Sequence, residues 1–414
     1  MTLKQLQKKY PKFSYFDYSY KISGGNLKIS FLFKIDPGII FNPELIIENI
    51  PAKFDLVGLD NLIFNLGLIE MISYWKSTCS PVIEINCGNL DEEQIKFWKL
   101  VTLNGLGQFF FENKIKPFSP RIISFKKDKL EIDKGKRKDS YLVPIGGGKD
   151  SIVTLELLKK KYKVNCFSLN PTNAAKKVMK VGGCKKPIVV KRKIDKNLLS
   201  LNRKGFLNGH TPFSAYLAFL TVLIAKVSDH KYIALSNEKS SNEGNVKYFG
   251  KIVNHQWSKS YEFENAFSKY SKKYLSKEIK YFSCLRPFYE IEIAELFSKY
   301  PKYFSSFLSC NEAHKTYSGR KKPKGEWCGK CSKCLFTFLI LYPFLDENKL
   351  IKIFNKNLFE DKSLLPLLLE LIGKKKFKPF ECVGTKKECI AALSLAISKN
   401  KGKLPLLLDS FQKL

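Results

Sequence analysis

Three glycines separate a short apolar segment from Lys-Asp-Ser in the stretch Tyr141-Leu-Val-Pro-Ile-Gly-Gly-Gly-Lys-Asp-Ser151. The apolar residues before the glycines predict a β-strand, and Ser151 to Lys161 has the apolar spacing of a helix. A glycine backbone can approach a phosphate closely, and the first turn of the following helix presents free N–H groups and a dipole to the anion. We therefore predict a nucleotide-binding loop, here named the glycine loop, made of Gly146, Gly147, Gly148, Lys149, Asp150 and Ser151.

The sequence does not match two common nucleotide-binding loops. A Walker A motif requires Gly at position 143, where this chain has Val, and Ser or Thr after its lysine, where this chain has Asp150. A Rossmann fingerprint requires Gly or Ala where Ser151 stands. The remaining match resembles the PP-loop, Ser-Gly-Gly-x-Asp-Ser, which cleaves ATP between its α- and β-phosphates; here Gly146 replaces the first Ser. A carboxylate beside phosphate is expected where Mg²⁺ lies between them, so ATP and Mg²⁺ are the expected cofactors. The alternative is a glycine turn that only tightens a strand-to-helix corner.

Strand-like and helix-like segments alternate around the loop, and this pattern predicts an α/β fold, with a parallel sheet and helices on both faces. We expect three regions: an α+β accessory domain at 1–135, a PP-loop ATP pyrophosphatase domain at 136–345 and a helical C-terminal region at 346–414. No secretory signal is visible and no apolar run is long enough to span a bilayer, so a cytoplasmic enzyme is expected.

Four cysteines have the spacing of a metal site: Cys310, Cys328, Cys331 and Cys334. Cys-x-x-Cys turns bring thiolates together around one tetrahedral Zn²⁺, and a closed four-sulfur shell would make the metal structural. An iron–sulfur cluster and a redox dithiol are the alternatives. We expect thiols rather than disulfides, and small buried residues at the other seven positions: 79, 87, 166, 184, 284, 382 and 389.

Polar segments between the glycine loop and the cysteines supply candidates for acid–base chemistry and binding. Asn237 and Glu238 follow a predicted parallel strand, where ligands bind in open α/β sheets. The candidate proton-transfer residues are His210, Glu238, Glu243 and His255, each of which could instead have a structural role. Arg286 is a candidate substrate-binding anion clamp, or else part of an ordinary ion pair.

The chain is strongly basic, with 72 Lys and Arg against 38 Asp and Glu and a net charge of +34 over 414 residues. The lysines are dispersed, which favours a solvated basic surface, although a nucleic acid or an anionic small substrate would also be attracted. A nucleotide-sugar would be steered toward such a surface.

The later motifs, in their order, are similar to the UDP-N-acetylmuramoyl-L-alanyl-L-glutamate epimerase family, often called MurL. They are Leu207-Asn-Gly-His-Thr-Pro-Phe-Ser214, Ala234-Leu-Ser-Asn-Glu238, Asn242-Glu-Gly-Asn245, Val253-Asn-His-Gln256, Trp327-Cys-Gly-Lys-Cys331 and Pro379-Phe-Glu-Cys-Val-Gly-Thr385. The resemblance implies that ATP adenylates the terminal L-glutamate of a UDP-sugar dipeptide, that the acidified Cα–H is inverted, and that hydrolysis releases AMP and the D-epimer for cell-wall synthesis.

Three rival functions remain open at this stage. A PP-loop tRNA-modifying enzyme would explain the basic charge, but no RNA-binding module is recognised beside the loop. A cyano-deazaguanine synthase also pairs a PP-loop with four zinc-binding cysteines, yet this chain is larger than that one-domain plan. A non-enzymatic nucleotide-binding module fits poorly with an intact loop that keeps Asp150 and Ser151.

Overall fold

The computed structural model describes residues 2–51, 54–125, 130–314 and 325–414. Its first ten helices and strands are α1 Leu3–Lys9, β1 Lys12–Ser23, β2 Asn26–Asp36, β3 Ile39–Phe41, β4 Glu44–Ile47, α2 Leu59–Trp75, β5 Val82–Ile85, α3 Glu92–Gly105, α4 Gly107–Glu112 and β6 Arg121–Ser124. The middle elements are β7 Lys138–Pro144, α5 Lys149–Leu158, β8 Val164–Leu169, α6 Asn173–Val181, β9 Ile188–Lys193, α7 Lys196–Arg203, α8 Phe213–Val227, β10 His230–Leu235, β11 Val246–Tyr248, β12 Lys251–Val253, α9 Tyr261–Tyr270, β13 Lys280–Ser283, α10 Glu290–Ser298 and α11 Asn311–His314. The last helices are α12 Ser332–Leu341, α13 Glu347–Phe354, α14 Leu365–Leu371, α15 Lys386–Lys399 and α16 Leu406–Gln412.

The N-terminal strands form because apolar side chains alternate along them and a tight turn joins them. Every second residue of β2 is buried, which gives the strand one apolar face. Gly24 and Gly25 connect β1 to β2 with φ angles of 55° and 71°, as a two-residue hairpin turn requires. The long helix α2 packs against β1 and β2, and all its residues except Asp60 are buried.

One sheet of eleven strands runs through the described part of the molecule in the order β13-β10-β7-β8-β9-β4-β2-β1-β5-β6, and β3 pairs with β2. The five strands from β13 to β9 are parallel, whereas β4 is antiparallel to β9. The predicted α/β class is confirmed, but the sheet is mixed and mostly parallel. Pairing with β4 satisfies the backbone groups that β9 would otherwise expose at a sheet edge, so the N-terminal strands extend the same sheet.

Helices cover both faces of this sheet. Leu142 and Val143 are neighbours in β7, yet they belong to two different hydrophobic cores. The core of Leu142 also contains residues of α2 and α8, and the core of Val143 contains residues of α5, α10 and α12. The division at 135 and 345, and the assignment to the PP-loop fold, stay predictions.

The order of the parallel strands places a crevice beside the glycine loop. From β7 the chain continues to β8 and β9 on one side, and then crosses to β10 and β13 on the other. In open α/β sheets, ligands bind at the carboxyl ends of the strands where the order reverses in this way. Here those ends are Pro144, which Ile145 separates from the glycine loop, and Leu235, directly before Ser236-Asn237-Glu238.

Helices make up the regular structure of the C-terminal region. Residue 346 is followed by α13 to α16, and α12 packs against α13, α14 and α15. Lys399 fastens α15 to the end of α12, since its Nζ donates to the carbonyl oxygens of Tyr342 and Leu345 at 2.7 and 2.6 Å. Within the described ranges, every helix is too short or too polar to cross a membrane.

Candidate active site

The glycine loop turns tightly between β7 and α5. Gly147 has a φ of +96°, and a Cβ atom there would lie 2.8 Å from the backbone nitrogen of Ala175, so the position requires glycine. Its carbonyl oxygen accepts a hydrogen bond from the backbone N–H of Leu308 at 2.9 Å. A Cβ atom on Gly146 would meet open space, and a cavity of about 100 Å³ lies beside that residue. The loop backbone is therefore open on the side of Gly146.

Charged groups are concentrated where α5 begins. Lys149 is buried, and its ammonium pairs with both Asp150 and Glu290. Burial alone would lower the pKa of Lys149, but the two carboxylates raise it. Burial, Glu290 and Asp150 together raise the pKa of Glu238 to about 8, and burial and Asp150 also raise that of Glu290. Burial and the neighbouring carboxylates therefore disfavour the charged forms of Glu238 and Glu290.

Two further predicted residues lie at the same ends of β7 and β10. The Ser151 hydroxyl donates to the carbonyl oxygen of Gly148 at 3.0 Å, within the first turn of α5. The side-chain amide of Asn237 donates to the hydroxyl of Ser283 at 3.0 Å and joins the ends of β10 and β13. Both side chains are buried, and their roles in binding ATP stay predictions.

Arg286 connects the segments that surround the acidic residues. Its guanidinium donates to Glu264 at 2.6 and 3.2 Å, and to the carbonyl oxygens of Glu238 and Lys259 at 2.8 Å each. Additional contacts reach the hydroxyls of Ser241 and Ser283 at 3.2 and 3.3 Å. Because all three guanidinium nitrogens already donate inside the protein, this geometry favours a positioning role; substrate binding by Arg286 stays a prediction.

The structure brings His210 and His255 together from distant parts of the chain. Their ring centroids are 4.7 Å apart. The segment that carries His210 is held by Lys76, whose Nζ donates to the carbonyl oxygen of Gly209 and to the Thr211 hydroxyl. Burial, His255 and Lys76 lower the pKa of His210 to about 3, so this imidazole is neutral at physiological pH.

A second group of polar side chains surrounds His255, and we name it the His255–Cys382 cluster: Gln108, His255, Lys259 and Cys382. His255 Nδ1 is hydrogen-bonded to Gln108 Oε1, and Lys259 Nζ donates to Cys382 Sγ at 3.3 Å. His255 also lies near enough to Cys382 to help lower the pKa of its thiol. The cluster therefore combines a thiol, an imidazole and an ammonium group.

Lys333 connects this cluster with the charged groups at the glycine loop. Its Nζ donates to the carbonyl oxygen of Cys382 and lies 4.0 Å from Glu290 Oε1, while Glu290 pairs with Lys149. The positive charge of Lys333 also helps to lower the pKa of Asp150, although burial alone would raise it. The glycine loop and the His255–Cys382 cluster thus belong to one continuous polar site.

Glu243 lies at a different position from the other predicted proton-transfer residues. Its Oε1 is 3.2 Å from Lys378 Nζ, and it accepts a hydrogen bond from the backbone N–H of Lys386 at 3.3 Å. Lys386 is the first residue of α15, so Glu243 fastens the C-terminal region to the middle of the chain. Its catalytic role stays a prediction.

The four predicted metal ligands converge. The sulfur atoms of Cys310, Cys328, Cys331 and Cys334 all lie within 4.8 Å of one another, and three of their separations are 3.5, 3.7 and 4.0 Å. A tetrahedral zinc ion with Zn–S bonds of about 2.3 Å sets its sulfurs about 3.8 Å apart. The donor set and its spacing therefore fit one metal ion such as zinc.

The expectation for the remaining cysteines is only partly met. Cys79, Cys87 and Cys389 are buried, whereas Cys284 and Cys382 are half-buried. Cys166 and Cys184 form a disulfide, contrary to the expectation of thiols. Cys166 lies in β8 and Cys184 in the connection between α6 and β9, and their Cα atoms are 6.0 Å apart, within the usual range for a disulfide.

Two family models cover most of the chain. One, described as the MurL N-terminal domain, matches residues 4–284, and the other, described as the MurL C-terminal domain, matches residues 306–413. The chain belongs to the MurL family. The resemblance found in the motifs is therefore confirmed over both halves of the sequence.

Three relatives of this MurL-family chain carry the name UDP-N-acetyl-alpha-D-muramoyl-L-alanyl-L-glutamate epimerase. The protein of Xanthomonas oryzae pv. oryzae is 33% identical over 82% of this chain and 75% of its own length. Those of a Micromonospora species and of Salinispora tropica are 31% and 30% identical, and cover 85% and 92% of this chain and 78% and 84% of their own lengths. These names do not favour the alternative of a tRNA- or deazapurine-modifying enzyme.

Several polar residues of the site in this MurL-family chain were not predicted from the sequence. Gln108 and Lys76 come from the N-terminal region, where no motif indicated chemistry, and Lys259 is one lysine among many. Glu290 also lies outside the predicted site motifs. Cys382 does lie within a motif that supports the family resemblance, Pro379-Phe-Glu-Cys-Val-Gly-Thr385, but was expected to be a small buried residue.

Proposed function

We propose that this chain is an ATP-dependent epimerase that converts the terminal L-glutamate of UDP-N-acetylmuramoyl-L-alanyl-L-glutamate to D-glutamate. The observation that carries the proposal is the similarity, over 82–92% of the chain, to three relatives named for that epimerisation. The position of the glycine loop at the strand-order reversal supports the use of ATP. The reaction would release AMP and pyrophosphate and supply a precursor for peptidoglycan synthesis.

The glycine loop would serve the first step, activation of the glutamate α-carboxylate. A carboxylate oxygen attacks the α-phosphorus of ATP, the bond to the β-phosphate oxygen breaks, and pyrophosphate leaves. The free N–H groups at the start of α5 and the Lys149 ammonium stabilise the phosphate charge, as a PP-loop does. The cavity beside Gly146, which Phe167 and Phe213 help to line, would receive part of the nucleotide.

The acidic residues at this loop fit a magnesium ion. Asp150 is partly exposed, and burial together with neighbouring carboxylates raises the pKa values of Glu238 and Glu290. Mg²⁺ is commonly held by one or two protein carboxylates together with substrate phosphates, so a preformed cage of carboxylates is not required. Asp150 would hold Mg²⁺, which supplies charge neutralisation for the phosphates when bound.

The second step is inversion at the Cα atom of the adenylated glutamate. An acyl adenylate lacks the negative charge of a carboxylate, so its neighbouring C–H bond is more acidic. A base takes that proton, an acid returns a proton to the opposite face, and water then releases AMP and the D-epimer. His210, Glu238, Glu243 and His255 are the candidates taken from sequence, and the contact between His210 and His255 favours those two.

A basic groove offers space for the UDP part of the substrate. It has a volume of about 930 Å³ and is lined by Lys176, Lys180, Lys185 and Lys191. Asn170 lines both this groove and the cavity beside Gly146, so the two spaces are neighbours. A diphosphate in the groove would be attracted by the four ammonium groups, and the dipeptide could then extend toward the glycine loop.

The four-cysteine site would hold a structural zinc ion. A closed shell of four thiolates leaves no open position for a substrate or water. Zinc there would fix the segment that ends at Cys310, which contacts the glycine loop through Leu308, against α12, which carries Lys333. The metal would therefore support both halves of the site without taking part in the reaction.

Purified full-length protein should be incubated with ATP, Mg²⁺ and UDP-N-acetylmuramoyl-L-alanyl-L-glutamate, and AMP, pyrophosphate and glutamate chirality should be measured. We expect substrate-dependent AMP and pyrophosphate, and D-glutamate after acid hydrolysis. Reactions without the dipeptide substrate, or with the free dipeptide L-alanyl-L-glutamate, show whether the UDP-sugar is required. If folded, metal-replete protein forms neither AMP nor D-glutamate, the proposal is wrong.

A further inference from the structure

The thiol of Cys382 has a charged hydrogen-bond partner. Lys259 Nζ donates to its sulfur at 3.3 Å, and His255 lies near enough to help lower the pKa of the thiol. Cys79 and Cys389 are buried, and burial raises the pKa of each of them. Burial would also raise the pKa of Cys382, but Lys259, His255 and Lys333 together lower it to about 5. The sulfur is therefore a thiolate at neutral pH.

Gln108 fixes the proton arrangement of the histidine. Gln108 Nε2 donates to Glu112 Oε1 at 2.7 Å, so its Oε1 is turned toward His255 and accepts the proton of Nδ1. In the neutral imidazole, Nε2 is then the nitrogen without a proton and can exchange one with the thiol. The arrangement of amide, imidazole and thiol is one that generates a reactive cysteine.

Asn245 holds the two segments of this pair together. Its Oδ1 accepts a hydrogen bond from the backbone N–H of His255 at 2.8 Å, and its Nδ2 donates to the carbonyl oxygen of Pro379 at 2.7 Å. One buried side chain thus connects the segment after β12 with the segment before α15. Lys333 then fixes the carbonyl group of Cys382 beside the charged groups of the glycine loop.

We propose that Cys382, paired with His255 and Lys259, is a catalytic residue that exchanges a proton with the Cα atom of the activated glutamate on one face. This inference rests on the proposed epimerase function and assigns one of its two proton-transfer groups. Lys333 and Glu290 link Cys382 to Lys149 of the glycine loop, so an acyl group bonded to the α-phosphate would be within the same polar site.

The proton and the electrons balance without a further reagent. When the thiolate acts as base, the Cα–H bond breaks, an S–H bond forms, and the electron pair moves onto the acyl carbonyl oxygen. A solvent-exchangeable acid on the opposite face then supplies a proton to Cα, and the electron pair returns from oxygen to form the new C–H bond. The thiol returns its proton to solvent through His255.

The test compares adenylation with proton exchange in Cys382→Ser and Cys382→Ala, with Cys284→Ser as the matched change at another half-buried cysteine. Pyrophosphate release reports adenylation, and deuterium incorporation at Cα in D₂O reports proton exchange. We expect both Cys382 variants to release pyrophosphate like the wild type but to lose exchange and D-glutamate by about 100-fold or more, since acid–base groups contribute about 10²–10⁴-fold. Cys284→Ser should retain both activities.

The possible results separate the inference from the function on which it rests. If the wild type releases no pyrophosphate with this substrate, the proposed function fails, and the inference fails with it. If the wild type is active and Cys382→Ala exchanges deuterium normally, only the inference is wrong. If the Cys382 variants lose pyrophosphate release and exchange in parallel, the thiol supports the site as a whole and the proton-transfer role is also wrong.

Alkylation of the wild-type protein gives a measurement that does not depend on turnover. The iodoacetamide reaction of Cys382 should be followed by peptide mass spectrometry from pH 4 upward. Only the thiolate reacts, and it exists above the thiol pKa, so we expect the rate to rise near pH 5 rather than near the ordinary value of 9. His255→Ala should move this rise to higher pH. A wild-type rise near pH 9 would contradict the thiol–imidazole pair.

Discussion

The glycine loop and the His255–Cys382 cluster belong to one polar site, but the chain assembles them in different ways. The loop is six consecutive residues, namely three glycines that follow β7 and the first three residues of α5, and its geometry follows from the glycines. The cluster takes Gln108 from α4, His255 and Lys259 from the segment after β12, and Cys382 from the segment before α15. This difference predicts that adenylation depends on local structure, whereas proton transfer depends on how distant segments pack.

The largest effect is expected where both parts of the site depend on one feature, the four-cysteine site. Cys331→Ser should abolish metal binding and lower the free energy of unfolding by several kcal/mol, since structural zinc binding is worth on the order of 10 kcal/mol. Adenylation and proton exchange should be lost together. Inductively coupled plasma mass spectrometry measures the metal content, and thermal unfolding measures the stability, with Cys284→Ser as the control for both. A metal-free variant with an unchanged unfolding midpoint would contradict a structural metal.

Asp150→Asn is expected to act through the glycine loop alone. Loss of the carboxylate should lower pyrophosphate release by about 100-fold or more, because metal and electrostatic stabilisation of a phosphate reaction is worth several kcal/mol. Deuterium exchange should fall by the same factor, since the Cα proton is acidified only in the adenylate. Asp139→Asn, at the exposed start of β7, is the matched control. Exchange that continues without pyrophosphate release would show that proton transfer needs no adenylate.

Local spacing explains what the sequence could predict. The glycine loop, the strand after which Asn237 and Glu238 stand, and the Cys-x-x-Cys-x-x-Cys run each depend on neighbouring residues, and the structure contains these local features. The alternation of strands and helices likewise predicted the α/β class. The pairing of β4 with β9 was not predictable in this way, because it joins residues about 150 positions apart.

The same reasoning explains why the His255–Cys382 cluster was missed. A single cysteine beside apolar residues is usually a small buried residue, and the feature that distinguishes Cys382 is the approach of Lys259 and His255 in space. Gln108 has no sequence signal, since its role depends on α4 packing near the segment after β12. The disulfide between Cys166 and Cys184 also depends on how the chain after α6 is placed near β8 in space.

Substitution of Arg286 tests whether the glycine loop and the His255–Cys382 cluster are positioned by the same residue. Arg286→Ala should lower the free energy of unfolding by about 3 kcal/mol, because Glu264 would lose its partner in a mostly buried ion pair. The kcat values of adenylation and of deuterium exchange should both fall, while the KM for the UDP-sugar stays near the wild-type value. Glu264→Gln removes the same ion pair and should reproduce these changes. If Arg286 is instead the anion clamp predicted from sequence, KM should rise and stability should stay unchanged.

The smallest effect is expected from Gln108→Met, which keeps the side-chain length but removes the acceptor for His255 Nδ1. A single hydrogen bond is worth about 1 kcal/mol, so deuterium exchange should fall roughly fivefold. Pyrophosphate release should not change, because Gln108 contacts the cluster and not the glycine loop. Gln412→Met, at the distant end of α16, is the matched control. A selective loss of exchange would show that the cluster can be weakened independently of the loop, and an equal loss of both steps would show that packing from α4 controls the whole site.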